Sequence, residues 1–377
     1  MARLTIGLRF KPQEGWTGGV YYLRNLVSAL GQPPETRRPR LVLVGGDVQT
    51  ADELRAETGY PDLRRLSRSR LERVPAPRLP FARPAGEEIA LMLMGSPPGL
   101  EDRGVQWVPD FQEDRFPEFF DETERAARHR HNAEAFARHT HVMVSSQDVA
   151  ADLRRFYPQP TVRVHVIPFA SFLPALTEDA GALKARYGLP DRYLICANQV
   201  WRHKNHALAL RALALAPEAP PLVFTGREED HRDPDHPAAV RRLAVELGLG
   251  ERARFLGFLP RQDQLGLMHG ALAVVQPSLC EGWSTVVEDA KALGRPVFAS
   301  DIAVHREQLG GGAGLFDPHD PAALAALLAR CATSDPAPPR LDYEAAKRAF
   351  AGDLWRMIQL VLRDLRRRRV DRLVIKS

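Results

Sequence analysis

The chain has 377 residues, 44% hydrophobic and 26% charged, with a formal net charge of +5. That composition fits a soluble globular protein too long for one ordinary core, so two domains are expected. No run approaches the ~20 apolar residues of a membrane span, the charge-broken start Met1–Phe10 does not read as a signal peptide, and three scattered cysteines (Cys196, Cys280, Cys331) suit neither a disulfide framework nor a zinc site, so a cytoplasmic protein is expected.

Strand-like apolar runs alternate with amphipathic helical stretches. Leu4–Phe10 reads as a strand and Gly19–Leu30 as a helix with Val20, Leu23, Leu26, Val27 and Leu30 on one face. Leu41–Val44 is a second strand, and Arg64–Gly99, rich in Arg, Pro and Gly, takes no assignment. Strands follow at Gly104–Val108, His141–Val144 and Val162–Ile167, with helices near Asp121–Ala137 and Gln147–Phe156. The alternation restarts after Pro168–Leu183. Strands are expected at Tyr193–Ala197, Leu222–Thr225, Arg254–Phe258, Ala273–Gln276, Pro296–Ala299 and Gly314–Phe316. Helices lie between them at Asn205–Leu215, near Ala238–Leu247, at Gln262–Gly270 and at Val286–Leu293, and Pro321–Cys331 follows the last strand. A final long helix covers about Tyr343–Arg367. Two such series predict two parallel sheets covered on both faces, with ligands at the carboxyl ends of the strands.

Chemistry concentrates in Gln276–Pro296. A loop after the strand carries Glu281, Gly282 and Ser284-Thr285, and a helix from Val286 carries Glu288 and Asp289 in its first turn. Backbone N–H groups at a helix start can hold a diphosphate. A loop carboxylate and a helix carboxylate can each accept hydrogen bonds from sugar or ribose hydroxyls. Taken alone, an acidic first turn merely complements the helix dipole. The stretch Ala197–His206 carries Gln199, Arg202 and Lys204. An arginine fork and a lysine point charge there can neutralise a diphosphate leaving group, the alternative being a solvated basic turn. In Gly15-Trp16-Thr17-Gly18-Gly19 the pair Gly18-Gly19 either lets backbone approach a phosphate or sugar or serves a tight turn. Trp107–Phe120 offers Asp110 and Glu113 for acceptor or sugar contact, or as loop structure, and Ser145-Ser146 reads first as a helix cap.

These stretches together resemble the GT-B retaining glycosyltransferases of family GT4. Their donor signature has two acidic residues with seven between, followed by Gly-x-Pro. Glu281 and Asp289 occupy those positions, and Ala290, Gly294, Pro296, Ser300-Asp301 and His305-Arg306-Glu307 continue the pattern. The second acidic residue is usually Glu, so the ribose role stays open between Glu288 and Asp289. Lys204 matches the family's phosphate lysine. The usual arginine five positions earlier is Gln199 here, with Arg202 as its candidate replacement. Gly18-Gly19 is similar to the glycine-rich loop brought to the donor. Gly257–Arg261 resembles the turn near the nucleotide base, and Glu113 stands where relatives often place a His.

The resemblance implies an α/β chain of GT-B fold, two Rossmann-like doubly wound domains facing each other across a cleft. An acceptor-binding domain would cover 1–170, a donor-binding domain 171–342, and a helix and basic tail 343–377 that could pack on the first domain. It implies a retaining, metal-independent transfer without cofactor, from a UDP-, GDP- or dTDP-linked sugar to a glycan, lipid-linked or small-molecule acceptor. Lys204, Arg202 and Glu281 would act at the reacting centre. Gly18, Gly19, Gln199, Gly257, Ser284, Thr285, Val286, Glu288 and Asp289 would surround the donor.

The basic run Arg363–Arg372 is either a solvated helix end or a contact with anionic phospholipid on the inner face of a membrane. No motif accompanies it that would suit nucleic acid. Asp233-Pro234-Asp235 reads as a surface loop rather than a metal motif, and the histidines form no HExxH pattern. Two rivals remain: a non-catalytic sugar or glycolipid binder, and a sugar-nucleotide epimerase or phosphorylase of the same fold.

Overall fold

The computed structural model describes residues 3–10, 17–45, 47–66, 89–97, 99–158, 161–311 and 314–374, with 369–374 as helical backbone only. The chain divides into two compact units. One comprises Met1–Phe111, Ala126–Phe172 and Glu344–Ser377, the other Gln112–Arg125 and Leu173–Tyr343. In chain order the first strands are β1 (Thr5–Arg9), β2 (Arg40–Val44), β3 (Leu63–Leu66), β4 (Leu91–Leu93), β5 (Val105–Trp107), β6 (His141–Val144) and β7 (Arg163–Val166). Helices α1 (Thr17–Leu30), α2 (Val48–Thr58), α3 (Gln112–Arg115), α4 (Glu122–Arg138) and α5 (Gln147–Phe156) run among them.

The first unit holds two parallel sheets, ordered β3-β2-β1-β4 and β5-β6-β7, with one parallel bridge between Met92 and Gly104. Helix α1 packs by its stripe of Leu23, Leu26, Val27 and Leu30, all fully buried at the i, i+3, i+4, i+7 spacing of one helix face. Ser146 caps α5 by accepting from the Val149 N–H at 3.1 Å, as its sequence position suggests. The unassigned region proves to hold β3 and β4 at its two ends. Short helix α2 also escaped sequence reading, because its apolar stripe is thin: only Ala51 and Leu54 are buried.

The second unit continues with α6 (Ala180–Arg186), β8 (Leu194–Cys196), α7 (His206–Leu215), β9 (Leu222–Thr225), α8 (His236–Glu246), β10 (Ala253–Gly257), α9 (Arg261–Gly270), β11 (Val274–Gln276), α10 (Thr285–Ala292), β12 (Val297–Ser300), α11 (Ala303–Leu309), β13 (Leu315–Phe316) and α12 (Pro321–Arg330). Its six strands are all parallel and ordered β10-β9-β8-β11-β12-β13. Alternation along β8 shows why both faces are covered. Leu194 and Cys196 enter one core with Phe224, Val275 and Phe298, whereas Tyr193, Ile195 and Ala197 enter the other with Val223 and Val274.

Helix α13 (Tyr343–Val374) runs seven residues beyond the sequence expectation. Phe350, Leu354, Ile358 and Val361 form its buried stripe. Within the first unit, Asp364 accepts from Arg163 Nη1 at 2.7 Å and lies 3.7 Å from His141 Nε2. No helix among the described residues is long and apolar enough to cross a membrane.

Candidate functional site

The strand order of the second unit reverses between β8 and β11, which pair through Val274 and Ile195. In an open parallel sheet such a reversal leaves a crevice at the carboxyl ends of the two strands. The loops leaving those ends carry Asn198 to Lys204 on one side and Ser278 to Ser284 on the other. They are stitched by the Leu279 N–H, which donates to the His203 carbonyl at 2.8 Å. The turn after β9 also approaches the β8 loop closely: a Cβ on Gly226, at φ +137°, would stand 2.2 Å from the Asn198 carbonyl oxygen.

Lys204 and Glu281 meet in this crevice, Nζ to Oε1 at 2.6 Å, with only 15% and 9% of their side chains exposed. The same Glu281 oxygen accepts from Gln276 Nε2 at 2.7 Å, and Gln276 Oε1 accepts from Asn198 Nδ2 at 2.8 Å. The residues that close both strands thus orient the carboxylate. Burial alone would raise the Glu281 pKa. The charge of Lys204, the neighbouring His305 and hydrogen bonds from Lys204 and Ser278 outweigh it and hold the carboxyl below its usual range. His305 is fully buried, and burial lowers its own pKa; its Nδ1 faces the Ser300 carbonyl at 2.9 Å.

Beside this pair stands the start of α10. Ser284 caps it, its hydroxyl accepting from the Val287 N–H, while its own N–H donates to Gln308 Oε1 at 3.0 Å. Ser284 thus builds the helix end beside which the sequence places the donor. Thr285 and Val286, half-buried, form the first turn. The two acidic neighbours point apart, about 100° around the helix. Glu288 is held by Tyr343 at 2.7 Å, Lys291 at 2.8 Å and Gln308 at 3.1 Å. Both its oxygens are engaged in internal structure. Asp289 faces the turn after β10 and accepts from Arg261 Nη2 at 2.6 Å.

The remaining expected residues distribute less simply. Gly257 ends β10 at φ +68°, a left-handed conformation that favours glycine, and its carbonyl accepts from the Gly226 N–H at 2.8 Å. Gln199 is half-buried in the loop after β8. Arg202 does not join the Lys204 network. Its guanidinium lies 5.0 Å over the ring of Phe119 and lines a cavity of about 240 Å³ with Phe120, Asp230 and Arg232. Glu113 is only 3% exposed, in the short helix α3. Asp110, half-buried after β5, belongs to the first unit, as do Gly18 and Gly19 in the first turn of α1. Gly15 and Trp16, and the side chains of Arg369–Arg372, lie outside the described residues.

Sequence reading passed over Gln276, Gln308 and Tyr343 as partners of the two carboxylates, and Asn198 as the partner of Gln276. The one signal for Gln276 was a polar side chain closing an otherwise apolar strand.

Comparison with known proteins agrees with this geometry. Residues 183–348 match the family described as glycosyl transferases group 1. A D-inositol 3-phosphate glycosyltransferase of Xylanimonas cellulosilytica is 31% identical over 230 residues, 56% of this chain and 54% of that protein. The serotype-specific mannosyltransferase WbdA of Escherichia coli is 28% identical over 144 residues, 37% of this chain and 17% of that protein. The chain thus spans about half the length of the inositol-phosphate relative it matches. Among solved structures, Anabaena Alr3699/HepE in complex with UDP and glucose is similar at TM-score 0.61 and 17% identity, covering 99% of this chain and 100% of that one. WaaG, a glycosyltransferase involved in lipopolysaccharide biosynthesis, is similar at TM-score 0.58 and 15% identity, covering 92% and 93%. At such identities the likeness speaks for the fold. That fold is GT-B, as the resemblance implied, and its two Rossmann-like units are those that the double alternation of strands and helices led one to expect.

Proposed function

We propose, from the premise that residues 183–348 belong to the glycosyl transferases group 1 family, that the chain moves a sugar from a nucleotide-sugar donor to an acceptor hydroxyl. The observation that carries this reading is the buried Lys204–Glu281 pair at the strand reversal of the second unit, beside the N-terminus of α10.

A nucleoside diphosphate at that crevice finds the amides of Thr285 and Val286 and the positive end of the α10 dipole. Lys204 supplies a fixed ammonium for the charge that develops as the sugar–phosphate bond breaks. Charge fixed in advance in a partly dry site is a strong lever on such a step. Glu281, kept ionised by Lys204, accepts hydrogen bonds from hydroxyls of the transferred sugar. No covalent nucleophile is assigned. The acceptor attacks on the face the leaving group departs from, which retains anomeric configuration, and no metal ion is assigned to the step. Relatives that glycosylate inositol phosphate or carry mannosyltransferase names support a polyhydroxylated acceptor, whether glycan, lipid-linked or small molecule.

The test is thermal stabilisation of the purified protein by a panel of UDP-, GDP- and dTDP-linked sugars. At a concentration of about 100 Kd a true donor stabilises by about 2.7 kcal/mol, a rise of a few degrees. The reading expects one nucleotide class to stand out, and equal, negligible shifts across the panel would oppose it.

A further inference from the structure

Arg202 and Lys204 belong to one short 3₁₀ turn, Arg202–Lys204. Two positions apart at three residues per turn, their side chains leave it about 120° apart. Lys204 reaches Glu281, whereas Arg202 enters the cavity of about 240 Å³ that Glu118, Phe119, Phe120, Asp230, Arg232 and Asp233 also line. All of these residues belong to the second unit.

Aromatic rings hold both arginines flat at this cavity. The Arg202 guanidinium lies 5.0 Å over the Phe119 ring, which itself stacks on Phe116 at 5.2 Å. That of Arg232 lies 4.4 Å from the ring centre of Phe120 and 5.3 Å from that of Trp201. A ring covers a face of a guanidinium and leaves its N–H edge for hydrogen bonds. Asp230, 5% exposed, braces the two loops from within: its carboxylate accepts from the Arg202 N–H at 3.3 Å and the Arg232 N–H at 3.1 Å. Side chains fixed in this way need little further ordering when a ligand binds.

Opposite charges share the cavity without neutralising each other. Among the described residues, the Arg202 guanidinium and the Glu118 and Asp233 carboxylates make no ion pair or side-chain hydrogen bond. The cavity therefore offers donors and acceptors together, in room for about one sugar ring. A sugar presents both kinds, since each hydroxyl donates once and also accepts. An anion suits the cavity poorly, because the carboxylates of Glu118, Asp121, Asp230 and Asp233 outnumber the two guanidiniums. A cation would leave the Arg202 edge unused.

We infer that this cavity is a subsite for one neutral sugar residue of the acceptor, its hydroxyls held by the edge of Arg202 and by Glu118 and Asp233. The acceptor role rests on the transfer reading above, whereas the sugar site itself does not. It also gives a place to Asp233, which the sequence leaves in a surface loop.

The experiment is saturation-transfer NMR on the full chain with the methyl glycosides of glucose, mannose, galactose and N-acetylglucosamine, and with glucuronate and glucose 6-phosphate. Each sugar is measured before and after excess UDP or GDP is added. Wild type should bind at least one neutral glycoside with a Kd on the order of 1 mM, bind neither anionic sugar more tightly, and keep the glycoside when nucleotide is added. Arg202→Gln should weaken that binding by roughly tenfold or more, the usual worth of a hydrogen bond to a charged group. Arg202→Lys, which keeps the charge without the fork, should recover part of it. The double variant Glu118→Gln with Asp233→Asn should weaken it by a similar factor. All three variants should melt near wild type, since none of these side chains is buried. The inference is overturned if wild type binds no neutral glycoside, if an anionic sugar binds more tightly, if nucleotide displaces the glycoside, or if binding is unchanged in Arg202→Gln or in the double variant. If the glycoside binds as expected while neither nucleotide does, the sugar site stands and the nucleotide-sugar reading alone fails.

Discussion

Glu281 is a carboxylate that burial alone would tend to protonate, and Lys204 keeps it charged. Replacing Lys204 by Ala is expected to slow turnover on the order of 10²–10³-fold, the usual cost of losing a preorganised charge at a reacting centre. The same change has a pH signature. In wild type the depressed Glu281 pKa contributes stability above the unfolded value of 4.5, lost as pH falls through the folded value. Without Lys204, burial dominates and the folded pKa rises, so the variant should be penalised at pH 7 and recover towards wild type as pH falls to 5. Melting curves at both pH values check this, and a pH-independent gap would mean the pair is not coupled. Lys204 and Glu281 were singled out in the sequence because they match the motif positions of the family that the chain resembles. Gln276, Gln308 and Tyr343 were not, because their partners are fixed by strand order and by helices distant in sequence.

At the scale of elements, β6 and β7 bring His141 and His165 together, Nδ1 to Nε2 at 3.0 Å. Burial first, then neighbouring positive charge, pushes both pKa values down to about 4. The folded first unit therefore holds two neutral histidines that the unfolded chain protonates near 6.5. The unfolded state binds more protons between those values, so stability should fall as pH drops from about 6.5 to 4. His165→Asn should flatten that dependence in thermal melts, and an unchanged slope would count against the pair.

Helix α13 ends in exposed Arg363, Arg366, Arg367 and Arg368, while Asp364 is turned to Arg163. We propose that this end meets anionic lipid. Each such residue near an anionic surface is worth about 1 kcal/mol and is screened by salt. Co-sedimentation with phosphatidylserine vesicles should be strong at low salt, weaker at physiological salt, and lost when those four arginines are made Gln. Binding that survives the change would reduce the cluster to a solvated helix end. The start of α13 was readable from its apolar stripe. Its last turns were not, because a run of arginines continues a helix without any periodicity to count.

For the whole molecule, two runs of alternating strands and helices were enough to give the class of fold, since each apolar run was too short for a helix and each amphipathic one too long for a strand. Sheet order was beyond reach. Nothing local in β8 or β11 says that they are neighbours, yet that adjacency brings Lys204 to Glu281 across 77 positions of sequence. Nor does local pattern assign Gln112–Arg125 to the second unit. Its place there depends on contacts such as Arg232 over Phe120, 4.4 Å from the ring centre.

The proposed transfer is tested most directly by release of nucleoside diphosphate from the preferred nucleotide sugar, followed with wild type, Lys204→Ala and Glu281→Gln under matched folding and with EDTA present. Wild type should release the diphosphate, the two variants should fall by on the order of 10²-fold or more, and EDTA should change nothing. Release that is equal in all three proteins, or absent from wild type with every donor class, would contradict a transfer site built on the Lys204–Glu281 pair.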